Sequence, residues 1–107
     1  LQALVEIETG TGDADGMAAM GRLLEGRLAA LGGTVERVKP LSDTVGDIIV
    51  ARWKGSGQGK ILLIAHMDTV YQRGALALAP FKLVGSPQGQ LAYGPGIADD
   101  KGGIALI

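Results

Sequence analysis

The chain has 107 residues, 47% of them hydrophobic, with Lys+Arg 10 against Asp+Glu 11 and a formal net charge of -1. That balance excludes a polybasic nucleic-acid surface and an acidic tail, and the aliphatic content argues against disorder. No uninterrupted apolar run is longer than Ile61 to Ala65, far below the roughly 18 residues a membrane span needs, and the absence of Cys removes disulfides and thiolate metal sites. Gly accounts for 18 residues, over twice the usual share of about 7%. Glycine at that level with many aliphatic residues indicates tight loops between buried strands. The chain opens on Leu1 and stops at Ile107 inside an apolar run, so it reads as a piece of a longer protein. No signal peptide is legible, and bacterial cytoplasm and periplasm are both compatible with a chain lacking Cys.

In chain order, Leu1, Leu4, Val5 and Ile7 suit the tail of a helix, and the Gly/Thr/Asp-rich stretch from Thr9 to Gly16 suits a loop. Met17, Met20, Leu24, Leu28 and Leu31 recur at spacings of three and four, which predicts an amphipathic helix of about four turns. Asp13 or Asp15 can cap its start, and Gly32-Gly33 can end it. Thr34 to Val38 and Asp47 to Trp53 read as strands, followed by a turn at Gly55 to Gly59. Lys60 to Ala65 is apolar without alternation, the pattern of an interior strand buried on both faces. Phe81 to Val84 and Gln90 to Tyr93 read as strands around a Gly85–Gly89 turn, and an apolar stretch after Gly103 reads as the start of a helix. The expected class is α/β, a mixed sheet flanked by helices, with residues 1–107 forming part of one domain.

Three superficial motifs fail. Gly10-Thr11-Gly12 opens like a dinucleotide fingerprint, but Asp15 holds the third glycine position and no strand precedes it. Asp13-Ala14-Asp15-Gly16 lacks the carboxylate a calcium loop needs at position 11, which is Thr11. In Gly57-Gln58-Gly59-Lys60 the lysine is followed by Ile61 and the segment leads into a strand, so it is no phosphate loop. Ser42, Ser56 and Ser86 lack a nucleophile-elbow context.

Two segments carry chemistry. His66 and Asp68 lie at the end of the apolar run, where open α/β sheets bind ligands, and residues two apart in extended backbone project to one side. An imidazole that binds metal donates its other ring proton to a carboxylate or carbonyl. The same pair is also readable as a surface ion pair at a solvated strand end. Asp99 and Asp100 sit in a glycine-rich bend, where adjacent carboxylates need a cation or strong donors if buried, or one of them caps the helix that follows.

Together the segments resemble a known family, the zinc-dependent exopeptidases that include aminoacylases, succinyl-diaminopimelate desuccinylase and the glutamate carboxypeptidases. His66-Met67-Asp68-Thr69-Val70 matches its His-x-Asp-x-Val motif, and the run from Tyr93 to Gly103 matches its second motif. The branch that removes C-terminal glutamate from folates is nearest. Its likeness extends to Ile7–Asp13, Val45-Gly46-Asp47, Tyr71 and Ala79-Pro80-Phe81. The resemblance implies that His66 binds one zinc and that Asp99, 33 residues on, bridges two zincs. It implies that Asp68 serves catalysis as the partner of His66, and that a cis peptide joins Asp99 to Asp100. The implied activity is zinc-dependent hydrolysis of an amide bond in a peptide-like or folate-like substrate, most simply release of C-terminal glutamate. Action on other acyl-amino acids or dipeptides is the alternative, as is a non-catalytic module that kept the fold. The general base, a Glu pair, and the remaining ligands are expected downstream, with the lid domain that forms a homodimer. None of Glu6, Glu8, Glu25 or Glu36 has the context to replace them.

Overall fold

A computed structural model describes residues 1–42 and 46–107. Helices and strands are interleaved, as the α/β class requires: α1 (Gln2–Val5), α2 (Ala14–Ala30), β1 (Thr34–Val38), β2 (Ile48–Arg52), α3 (Ala75–Leu78), β3 (Lys82–Ser86), β4 (Gly89–Tyr93) and α4 (Gly102–Leu106). Val45 of the Val45-Gly46-Asp47 likeness lies outside the described residues. Among the described residues no helix is long and apolar enough to cross a membrane.

Helix α2 forms where its periodicity places it. The Asp13 carboxylate accepts the Gly16 N–H at 3.0 Å, filling one of the donor positions that a helix start leaves open. At the other end Gly32 adopts φ 81, and its N–H and that of Gly33 return to Ala29 O and Leu28 O at 2.9 and 3.0 Å. The Trp53 ring lies over Gly33, and its indole N–H donates to Leu31 O at 3.0 Å. Met20 is fully buried, whereas Leu31, expected on the same stripe, is exposed because the helix ends at Ala30 and turns it outward.

β1 and β2 pair antiparallel in the register Thr34–Arg52 to Val38–Ile48, with α2 packed against both. Arg37 of β1 reaches Glu25 of α2 through Nη2 and, at 2.8 Å, through Nε, and its Nη1 lies 3.4 Å from Asp47. β3 and β4 form a second antiparallel hairpin, longer than expected: Ser86 pairs with Gly89, which leaves Pro87-Gln88 as a two-residue turn. The Ser86 hydroxyl donates to Gly89 O at 2.9 Å across that turn.

One expectation is corrected. Residues Lys60 to Ala65 pair with no described strand, and Ile61 to Ile64 are exposed. The strands are consumed in two local hairpins, β1–β2 and β3–β4, so nothing described flanks the apolar run. The sheets are accordingly two antiparallel pairs, and the one parallel pairing among the described residues is the isolated bridge between Gly10 and Thr69.

That bridge organises the buried centre, which is small: Leu4 and Val5 of α1, Met20 of α2, and three polar residues, Thr9, Thr69 and Lys101. Hydrogen bonds tie these residues together, as burial demands. Thr69 N–H donates to Thr9 O at 2.8 Å and Thr11 N–H to Thr69 O at 2.9 Å. The Thr9 hydroxyl donates to Met67 O at 2.7 Å, and the Lys101 ammonium donates to Ile7 O at 2.6 Å.

Candidate metal centre

The segment 66–69 is positioned by what grips it. Thr9 and Thr11 hold its backbone through the bridge, and the loop after it is held from the same side. Glu8 accepts the N–H groups of Gly74 and Leu76 at 2.8 and 2.9 Å, and Arg73 donates to Asp13 at 2.6 Å. The glycine-rich bend reaches the segment at Thr69. Gly96 takes a left-handed φ of 72 and presses on Thr69: a Cβ there would lie 2.4 Å from the Thr69 methyl. Only glycine meets both demands. Lys101, 1% exposed, then ties the end of the bend to Ile7. Its surroundings push the Lys101 ammonium pKa down through burial, with the Glu8 charge opposing.

On this frame His66 and Asp99 converge. His66 Nε2 lies 2.8 Å from Asp99 Oδ1, although 33 residues separate them. On the other side of the ring, Nδ1 lies 3.0 Å from the Asp68 carbonyl and 3.2 Å from Asp68 Oδ1. Two oxygen acceptors around Nδ1 assign the ring proton to it. The Nε2 lone pair then faces a carboxylate, and two electron-rich atoms at that distance require a cation between them. A second ring proton would meet the need, and the Asp99 carboxylate, helped by Asp68, holds the His66 pKa above its ordinary value against partial desolvation. A divalent metal would meet it equally.

The donor set fits zinc in kind, imidazole nitrogen and carboxylate oxygen. It falls short in number: among the described residues no three His, Asp or Glu side chains are arranged to hold an ion. The peptide bond between Asp99 and Asp100 is cis, as the family resemblance implies. Helix α4 has no side-chain cap, so the reading of Asp99 or Asp100 as a helix cap is not realised. Instead Asp99, 81% exposed at its side chain, points to His66, and Asp100 lies against Gly103. Tyr71, Tyr93, Gly94, Gly96, Ile97 and Asp99 line an open cavity of about 260 Å³ beside the pair.

The comparison with known proteins bears on this geometry. Residues 62–107 match the model of Peptidase family M20/M25/M40, a stretch containing His66, Asp68, Asp99 and Asp100. The chain is similar to the M20/M25/M40 peptidases. Carboxypeptidase G2 of Pseudomonas sp. (strain RS-16) is 57% identical over 107 residues, which is 100% of this chain and 25% of that protein. Acetylornithine deacetylase of Proteus mirabilis is 39% identical over 90 residues, 83% of this chain and 22% of the relative. The Erwinia tasmaniensis acetylornithine deacetylase is 40% identical over 86 residues, 79% of this chain and 22% of the relative. The chain thus spans about a quarter of the length of the curated relatives it matches. The resemblance read from two motifs is therefore found, and it runs beyond both.

Sequence reasoning named His66, Asp68 and Asp99, and the structure brings all three together. It missed Thr9, Thr11, Glu8 and Lys101, which position them. The two threonines on either side of Gly10 hinted at side-chain bonding within the loop. Their actual partners lie 57 and 58 residues away, and nothing in the local pattern encodes that.

Proposed function

We propose that this chain contributes to a metal-dependent amidohydrolase, with His66 and Asp99 as ligands of a paired zinc site and Asp68 orienting His66. The observation that carries the reading is the convergence of His66 Nε2 and Asp99 Oδ1 at 2.8 Å with Asp68 behind the ring. Zinc, when bound, would polarise the scissile carbonyl and acidify a water. The chain's own part is to present one imidazole lone pair and one carboxylate to that position. Asp68 fixes the tautomer that leaves Nε2 free to bind. Asp99, with two oxygens, can reach two ions, which supports the bridging role. The favoured reaction is release of C-terminal glutamate, because the whole chain aligns with carboxypeptidase G2. Deacylation of acyl-amino acids is the second reading, supported by the two acetylornithine deacetylases. The full-length protein is expected to act as a homodimer on a peptide-like or folate-like substrate, with the general base supplied outside these residues.

The test is a panel on the full-length protein: a folate, N-acyl-glutamates, dipeptides and N-acetylated amino acids, each with and without chelator. Hydrolysis of the folate or acyl-glutamate that chelator abolishes and zinc restores is expected. Chelator-insensitive hydrolysis would sink the metal mechanism, and preference for N-acetylated substrates would move the assignment to the deacylases.

A further inference from the structure

Asp68 is held at both ends. Its Oδ1 lies 3.2 Å from His66 Nδ1, and its Oδ2 receives a hydrogen bond from the Thr11 hydroxyl at 2.8 Å. The hydroxyl has a single proton and two acceptors in reach, Asp68 Oδ2 at 2.8 Å and Thr69 O at 3.3 Å. Thr69 O already takes the Thr11 N–H at 2.9 Å, and a bond to a charged carboxylate is the stronger of the two, so the proton goes to Asp68.

The loop does not need that bond to stay in place. The backbone bridge between Gly10 and Thr69, the Thr9 hydroxyl on Met67 O and Glu8 on the N–H groups of Gly74 and Leu76 already fix it. The Asp68 carboxylate does need it. Rotation about the last torsion of an Asp is broad, so one bond to a ring leaves the carboxylate free to turn. Pinning the second oxygen stops the rotation and leaves Oδ1 on the ring.

We propose that Thr11 is a positioning residue: its hydroxyl locks the Asp68 carboxylate, which holds His66 with Nε2 aimed at Asp99. This rests on the metal-site reading above. The chain is thus continuous from loop to ligand: Thr11 to Asp68, Asp68 to His66, His66 to Asp99.

The test compares wild type, Thr11→Val and Thr11→Ser in the full-length protein. Valine keeps the shape and removes the hydroxyl, and serine restores the hydroxyl. The zinc dissociation constant is read by competition with a chromogenic chelator, and melting temperature is read on the metal-stripped proteins. Thr11→Val should bind zinc about tenfold more weakly, the low end of what losing a partner of a ligating histidine costs. Thr11→Ser should bind as wild type does, and the three metal-stripped proteins should melt together. Zinc affinity unchanged in Thr11→Val would overturn the proposal, as would a Thr11→Ser protein as weak as Thr11→Val. A Thr11→Val protein that fails to fold, or melts well below wild type without metal, would also overturn it by showing that the hydroxyl holds the loop. Wild type that takes up no zinc would overturn the metal-site reading itself, and this inference with it.

Discussion

At the residue scale the site depends on acids held ionised by neighbours far along the chain. Arg73 donating to Asp13, with the Gly16 N–H, holds the Asp13 carboxyl below its ordinary range. The Leu76 and Gly74 N–H groups do the same for Glu8. A carboxyl whose pKa is lowered by folding adds stability in full above its unfolded value, about 3.9 for Asp and 4.3 for Glu. That stability is lost as pH falls below those values and through the lower folded ones. The melting temperature should therefore drop steeply below about pH 4, the range in which an unfolded carboxylate takes up its proton. Asp13→Asn keeps the helix cap, because Asn caps as well as Asp, but removes the charge facing Arg73. It should melt lower than wild type at neutral pH and show a shallower acid limb. Identical melting curves for the two proteins across the acid range would refute the role given to this ion pair.

At the element scale the glycines test how tightly the bend supports the segment 66–69. Gly12 and Gly96 both have left-handed φ, 88 and 72, but a Cβ at Gly12 would meet nothing within 4 Å. Gly12→Ala should cost only the left-handed strain, about 1–2 kcal/mol. Gly96→Ala should cost that and about 1–3 kcal/mol more, because the Thr69 methyl at 2.4 Å must be displaced. Denaturant unfolding of the two variants gives the comparison, and equal losses would show that Gly96 is not pressed against Thr69. Elements whose partners are local were legible in sequence. The apolar stripe and Gly32 foretold α2, and the turn residues foretold the β3–β4 hairpin, although Pro87-Gln88 closes it more tightly than the glycines suggested. Lys60 to Ala65 misled because a run without alternation reports apolar faces, and only the partners decide whether those faces are covered. Helix α3 went unread because its support is Glu8, 66 and 68 residues away, and not a local cap. The convergence of His66 and Asp99 was legible only through the two motifs.

At the scale of the whole molecule the described chain is a slab of 43 × 40 × 20 Å with a radius of gyration of 15.2 Å. A compact chain of this length has a radius near 13 Å. Its accessible surface is 7527 Å², against about 5,600 Å² expected for a folded monomer of this mass. The excess includes Ile61, Leu62, Leu63 and Ile64, 60–90% exposed side by side. An exposed apolar run of this kind is a template for association. The 107 residues produced alone should therefore self-associate, and with two candidate ligands they should bind zinc weakly and show no peptidase activity. A monomer by gel filtration that hydrolyses a folate amide at the rate of the full-length protein would refute both the surface argument and the ligand count. The Lys101 ammonium on the Ile7 carbonyl bridges 94 residues, nearly the whole chain. During synthesis at about 5–20 residues per second, Ile7 leaves the ribosome roughly 5–20 s before Lys101 can reach it. Through that interval the loop carrying Thr9 and Thr11 has no lysine to anchor it, so the support beneath His66 is completed only after the bend has been made, and a chaperone acting early would meet the loop open.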